Sequence, residues 1–184
     1  MASDYKLPIN ALLSGPIGVG KTTVCLRVIE AARRAGLSVG GFLTPAILDK
    51  SKARIGIAIV DLATGERRLL ARLGAYPEGL RLGKYTFESQ SLEWGKAILQ
   101  QGRSADLLVI DEIGRLELER GEGFVGALDI LAEGAARRSL TIVRETLLPA
   151  LYARLPQVSF VEFRVNEQNR SALAEEIVAC LLAK

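Results

Sequence analysis

The stretch Gly15-Pro16-Ile17-Gly18-Val19-Gly20-Lys21-Thr22 satisfies the pattern G-x-x-x-x-G-K-[ST] at each defined position. A chain of this kind can curl its amide N–H groups inward around a phosphate, because glycine permits both the backbone path and the close approach. A helix starting near residue 20 would turn its unpaired N–H groups and its positive dipole end on the same anion. Lys21 then supplies a point charge for the β- and γ-phosphates, and the Thr22 hydroxyl is a hard oxygen ligand suited to Mg²⁺. The plain alternative is a glycine-rich turn before a helix, but such a turn has no need of Lys and Thr at these positions.

A second chemical signal lies about 90 residues on, in Leu107-Leu108-Val109-Ile110-Asp111-Glu112. Four apolar residues form a buried strand, and Asp111 emerges at its carboxyl end, where open α/β sheets bind ligands. Asp111 would hold Mg²⁺ opposite Thr22, and Glu112 would orient or deprotonate an attacking water. Neighbouring strand residues point to opposite faces, so both acids can serve one site only if the strand ends there and bends. Alone, the motif could equally be a strand running into a solvated loop. Beside a phosphate loop it gains meaning, because such a loop needs a carboxylate from another strand.

The elements that must position these residues alternate along the chain. Residues 8–14 read as a strand, 21–35 as a helix stopped at Gly36, and 38–47 as a strand ending around Pro45. The alternation of Ile55, Ile57 and Ile59, followed by a turn at 63–66, marks a β-hairpin over 54–72. Residues 74–86 are loop-like, with a short strand near 84–87. A helix follows over 89–101, with Ser89 or Ser91 as N-cap and Gly102 as stop. After the Asp111 strand come a helix over 121–136, a strand over 139–144, a short helix over 147–154, a strand over 158–165 and a helix over 168–183. Such alternation predicts an α/β fold: three layers, a mostly parallel central sheet with helices on both faces, and a β-hairpin insertion. A chain of 184 residues is expected to be one domain over 1–184, with the insertion at about 45–87.

Composition narrows the chemistry. The chain has no histidine, which removes His-based triads and bases and, with only two cysteines, the common zinc patterns. Cys25 and Cys180 show no framework spacing and read as core residues. The net charge is +3, from 24 basic and 21 acidic residues, and the basic residues are dispersed. A nucleic-acid partner is therefore only weakly supported, since that would call for a clustered basic face. No apolar run approaches the ~18–20 residues of a membrane span. Residues 1–6 are polar and do not read as a signal peptide. The expectation is a cytoplasmic protein with no membrane partner, its oligomeric state open and a monomer favoured.

With these residues in hand, the chain resembles the small nucleoside-triphosphatases of archaea, bacteria and animals, a family that includes the cancer-related nucleoside-triphosphatase. The likeness runs through the phosphate loop and Thr23, Val39-Gly40-Gly41-Phe42-Leu43-Thr44-Pro45, Val60-Asp61-Leu62-Ala63-Thr64-Gly65-Glu66, Leu82-Gly83-Lys84-Tyr85, Asp111-Glu112-Ile113-Gly114-Arg115-Leu116-Glu117 and Asn169-Arg170. The resemblance implies Mg²⁺-dependent hydrolysis of ATP, GTP and other nucleoside triphosphates to diphosphate and phosphate. It also implies a recombinase-like core, with the Arg144 strand between the phosphate-loop strand and the Asp111 strand. Two departures stand out: Ala46 follows Thr44-Pro45 where an acidic residue is frequent, and Val143-Arg144-Glu145 lacks a histidine often found beside that arginine.

The candidate residues are then Lys21, Glu112 and Arg144 for catalysis, and Thr22 and Asp111 for the metal. Gly15, Pro16, Ile17, Gly18, Val19, Gly20, Lys21, Thr22, Thr23, Asn169 and Arg170 would bind the nucleotide. Arg144 could reach the γ-phosphate as an arginine finger in cis, or simply pair with Glu145 or Glu162, and Arg115 competes for the same role. Glu117 supports the catalytic segment, bridges to an arginine, or is a solvated charge. Asn166 or Asn169 could instead cap the last helix. Thr44 and Pro45 would line the cleft, and Trp94 reads as packing. Hydrolysis is the leading reading. A nucleotide or small-molecule kinase, with 74–86 covering the acceptor, and a nucleotide-gated nucleic-acid module are the alternatives.

Overall fold

The computed structural model describes residues 7–74 and 76–183; the polar segment 1–6, which does not read as a signal peptide, lies outside the described residues. In chain order the elements are β1 (Ile9–Gly15), α1 (Lys21–Arg34), β2 (Val39–Leu43), β3 (Ala46–Leu48), β4 (Arg54–Asp61), β5 (Arg67–Leu73), β6 (Leu80–Leu82) and β7 (Tyr85–Phe87). They continue with α2 (Ser89–Gly102), β8 (Leu107–Ile113), α3 (Gly126–Ala132), β9 (Arg138–Arg144), α4 (Leu148–Arg154), β10 (Phe160–Arg164) and α5 (Leu173–Leu182).

Among the described residues these strands form one sheet in the order β10-β1-β9-β8-β2-β4-β5-β7-β6, with β3 pairing β4. The first five run parallel. Strand β9, carrying Arg144, lies between β1 and β8, as the family resemblance implied. From β4 onward the pairing is antiparallel, so the hairpin region extends the sheet.

The parallel strands are almost continuously apolar because both their faces are covered. Ala11, Leu13, Leu107 and Val109 face α1 and α5, packing with Val24, Val28 and Ile177. Their neighbours Leu12, Leu108 and Ile110 face α2, α3 and α4, packing with Leu99, Leu128 and Leu151. The strand period of two thus divides one apolar run between two cores.

Several boundaries differ from the sequence reading. The strand expected over 38–47 breaks at Thr44-Pro45 into β2 and β3, since proline has no N–H to continue a ladder. Part of the expected loop 74–86 is β6, paired with β7. The helix expected over 121–136 shrinks to α3, because Gly121, Gly123 and Gly134 all take positive φ. Neither Ser89 nor Ser91 caps α2; both lie inside it, and Glu88 holds the cap position. Residues 168–172 are turns before α5. Leu116–Arg120, read as a charged run, winds into a π-helical turn.

Helix α2 sits directly on β2 through two glycines: a Cβ on Gly40 would lie 2.6 Å from the Gly102 Cα. Gly102 therefore does more than stop a helix, since it lets backbone meet backbone beneath the site. Gly40→Ala is expected to lower stability by about 1–3 kcal/mol through overpacking. Gly126→Ala, at a helical position where a Cβ meets nothing within 4 Å, is expected to raise it by about 0.5–1 kcal/mol. Urea unfolding of the two variants beside the parent checks both signs.

Candidate active site

Strand β1 ends at Gly15, and α1 begins at Lys21. Between them Gly18 and Gly20 have φ of 81° and 106°, a left-handed backbone that side chains resist. That path brings the chain round into the N-terminus of α1. Val19 packs inward on the core, which anchors the loop from below, while Ile17 stands 77% exposed at its tip. Lys21 is 8% exposed. Its Nζ donates to the carbonyls of Gly15 and Pro16, both at 2.8 Å, leaving one proton of the ammonium uncommitted to them. Burial lowers the Lys21 pKa, while the fields of Glu112 and Asp111 oppose that shift.

The two acids arrive from β8. Asp111 pairs in register with Ile142, and the β8–β9 register then slips before Ile113 pairs with Val143. Glu112 is the extra residue of a bulge, a device that re-aims side chains; the Asp111–Glu112 peptide is cis. Both acids line one cleft of about 330 Å³ with Gly18, Gly20, Lys21 and Thr22. Asp111 is 3% exposed. Burial pushes its pKa up to about 7, against the N–H of Thr44, which donates to Oδ2 at 3.2 Å. Asp111 and the Thr22 hydroxyl are hard oxygen donors facing the same space, a set that could hold a hard divalent cation.

Arg144 also lines the cleft. Its strand position is opposite Gly15, and its Nε lies 2.7 Å from Glu112 Oε1. The two surface partners weighed for it are engaged elsewhere: Glu145 pairs with Arg164 at 2.6 Å, and Glu162 takes a hydrogen bond from Tyr152. Arg115 lines the cleft but pairs with Glu119 at 2.7 Å. Of the expected pair Thr44 and Pro45, Thr44 is at the cleft wall and Pro45 is not; Ala46 lines it instead. Arg68, on β5, stacks over Trp94 at 4.2 Å, which accounts for that tryptophan as packing. Cys25 is buried on α1, and burial raises its thiol pKa well above the usual value.

Glu117 resolves into the first of its three readings. Its Oε2 accepts from the Gly114 N–H at 2.9 Å and its Oε1 from the Phe124 N–H at 2.8 Å. It ties the segment after the two acids to the start of the α3 region. Asn169 is committed to its own loop: Nδ2 donates to the Arg164 carbonyl at 2.8 Å, and Oδ1 accepts from the Asn166 N–H at 2.9 Å. Asn166 accepts from the amides of Gln168 and Asn169 and so caps the turn ahead of α5. The Arg170 Cδ would lie 3.9 Å from a Cβ on Gly20, which places Arg170 against the phosphate loop. Neither Asn169 nor Arg170 lines the cleft of the two acids, and Thr23 is exposed on α1 outside it.

Apart from the 74–86 cover of the kinase alternative, sequence reasoning missed the far wall. Arg54, Ile57, Leu70, Leu82 and Phe87, from β4, β5, β6 and β7, line the same cleft, as does Phe124. The alternation of Ile55, Ile57 and Ile59 identified a strand, but no local signal said what its inner face would meet.

A phosphate loop, a recombinase-like strand order and an acid pair on the strand beyond the arginine define an α/β phosphate-loop protein. The sequence model of the NTPase family matches residues 10–178, and the chain belongs to that family. It is 34% identical over 178 residues to the nucleoside-triphosphatase THEP1 of Methanopyrus kandleri, covering 96% of this chain and 97% of that one. It is 37% identical over 178 residues to the nucleoside-triphosphatase THEP1 of Archaeoglobus fulgidus, covering 94% and 99%. The crystal structure of THEP1 from the hyperthermophile Aquifex aeolicus superposes with a TM-score of 0.72 at 23% identity, over 95% of this chain and all of that one, a likeness of fold.

Burial is the main cause that raises the Glu117 carboxyl pKa, against the N–H groups of Phe124 and Gly114. A carboxyl whose folded value exceeds its unfolded one contributes most below the ordinary carboxylate range and loses that contribution as pH rises through the raised value. Glu117→Gln removes this component and leaves one amide facing an NH₂ group, at a cost of about 1–3 kcal/mol. Urea unfolding from pH 4 to 8 should show the gap between the two proteins narrowing as pH rises; a gap independent of pH contradicts the assignment.

Proposed function

We propose that the protein hydrolyses nucleoside triphosphates to the diphosphate and inorganic phosphate in a Mg²⁺-dependent reaction. The supporting observation is that one cleft collects Lys21, Thr22, Asp111, Glu112 and Arg144. Its relatives carry the name nucleoside-triphosphatase, which agrees with that chemistry.

The donor set suits Mg²⁺. Among the described residues no group of three or more Cys, Asp and Glu side chains could hold a metal. Mg²⁺ needs none, since it takes one or two protein oxygens and completes its shell with phosphates and water. Thr22 and Asp111 would hold it, and a nearby cation would also favour the ionised form of a carboxyl that burial otherwise raises. When bound, it neutralises phosphate charge and aligns the terminal phosphoryl.

The chain's own groups do the rest. The loop amides and the N-terminus of α1 bind the phosphates. Lys21 exchanges carbonyl oxygens for phosphate oxygens. Glu112 takes a proton from water as its oxygen bonds to the γ-phosphorus and the bond to the bridging oxygen breaks. Arg144 holds the Glu112 carboxylate by one oxygen and lies beside Gly15, so it is the better placed of the two arginines to meet charge on the phosphoryl. Arg170 is the residue of its pair free to border a nucleotide. With affinity resting on triphosphate and metal, base selectivity is loose.

Glu112→Gln is expected to keep ATP binding while slowing phosphate release by about 10²–10⁴-fold. Lys21→Ala is expected to abolish turnover. A phosphate-release assay on ATP, GTP, CTP and UTP, with Mg²⁺ and with EDTA, tests the whole reading. Unchanged release in EDTA contradicts the metal assignment, and parental rates in Glu112→Gln contradict the role of that acid.

A further inference from the structure

The cleft is larger and more apolar than water activation requires. A water occupies about 30 Å³ of liquid, whereas the cavity measures about 330 Å³. Part of that space belongs to the terminal phosphoryl and its cation, beside Lys21, Thr22 and Asp111. The rest of the lining includes an apolar group. Ile57, Leu70, Leu82 and Phe87 come one each from β4, β5, β6 and β7, and Phe124 joins them in the lining. In the proposed function the nucleoside goes to Arg170, which lies against Gly20 of the phosphate loop and is not part of this lining.

A polar handle stands in the same wall. Arg54 is exposed and lines the cavity. Arg144 and Arg115 are each paired with a carboxylate, whereas Arg54 has no carboxylate partner among the described residues. Apolar walls with a few convergent polar groups are the usual form of a small-ligand site.

We propose that this chamber is an acceptor subsite for a small molecule with an apolar ring or branched body, an anionic group toward Arg54 and a hydroxyl toward Glu112. The proposal rests on the triphosphate reading of the phosphate loop and adds a second substrate to it. The acceptor hydroxyl takes the place of water. Its oxygen bonds to the γ-phosphorus, the bond from that phosphorus to the β–γ bridging oxygen breaks, the hydroxyl proton passes to Glu112, and the nucleoside diphosphate leaves. Hydrolysis is then the reaction of the same site when water occupies the acceptor position.

The test uses the full chain, Mg²⁺ and ATP labelled in its γ-phosphate, with 4-(hydroxymethyl)benzoate as probe. Glycolate is the comparator, since it carries the same two polar groups without the ring. Labelled phosphate is expected on the benzoate probe, saturating with its concentration and at least tenfold above glycolate at equal concentration. Phe87→Ser and Leu82→Asn are expected to lower the ratio of phosphorylated probe to inorganic phosphate by tenfold or more. The ratio is internal to each protein, so a loss of folded protein alone does not change it. If one variant shows no turnover, the other supplies the ratio; if both do, the wild-type preference for the probe over glycolate decides. No organic phosphate, equal use of glycolate, or a ratio unchanged by the substitutions overturns the proposal. Phosphate release from ATP and Mg²⁺ alone is measured beside it. Its absence defeats the hydrolysis reading, whereas its presence without transfer defeats only this one.

Discussion

Lys21 and Asp111 are ionisable groups held almost wholly out of water at the carboxyl edge of a parallel sheet, and the rest of the site depends on that burial. Removing a charge from water is costly unless it is paired and hydrogen-bonded. Lys21 meets the cost by donating to two carbonyls of its own loop. Asp111 meets little of it, with a single N–H from Thr44, and burial dominates its titration. A nearly buried ammonium, a buried carboxyl and a helix N-terminus around one cavity form a place suited to a polyanion and, in the proposed function, to its cation.

The acids do not face that cavity by default. A regular strand would send Asp111 and Glu112 to opposite faces, and the bulge between β8 and β9 removes the conflict. The bulge and the turn after it are secured from two sides. Glu117, buried in a π-helical turn, takes the amides of Gly114 and Phe124. Arg144, one strand away, takes Glu112. A carboxylate that must accept a proton gains from being held in one orientation, because catalytic geometry tolerates little error. In the proposed reaction, the arginine placed to act on phosphate is thus also the one that holds the proposed base.

The antiparallel half gives the cleft its second wall. Strands β4 to β7 extend the sheet past β2 and turn apolar side chains toward the acids. Together with Phe124, whose ring meets Phe42 at 4.5 Å, they enclose space beside the polar edge. Low-polarity walls strengthen every charge interaction inside them.

Much of this was legible in one chain. The phosphate loop is a local backbone device, and its glycines, lysine and threonine are consecutive. The β8 acids were legible because an apolar run ending in two carboxylates sits beside such a loop. Alternating periodicities indicated the α/β class, since hydrophobic period reports which faces are covered. Tertiary structure alone decided which arginine meets Glu112, that Glu117 is a buried clamp within a charged run, that Asn169 braces its own loop, and that Arg54 and four apolar strand residues share a cavity with residues far away in the chain. The reason is physical. Backbone turns, caps and periodicity are written in residues a few positions apart, whereas ion-pair choice and cavity shape depend on side chains that meet only after strands distant in sequence have paired.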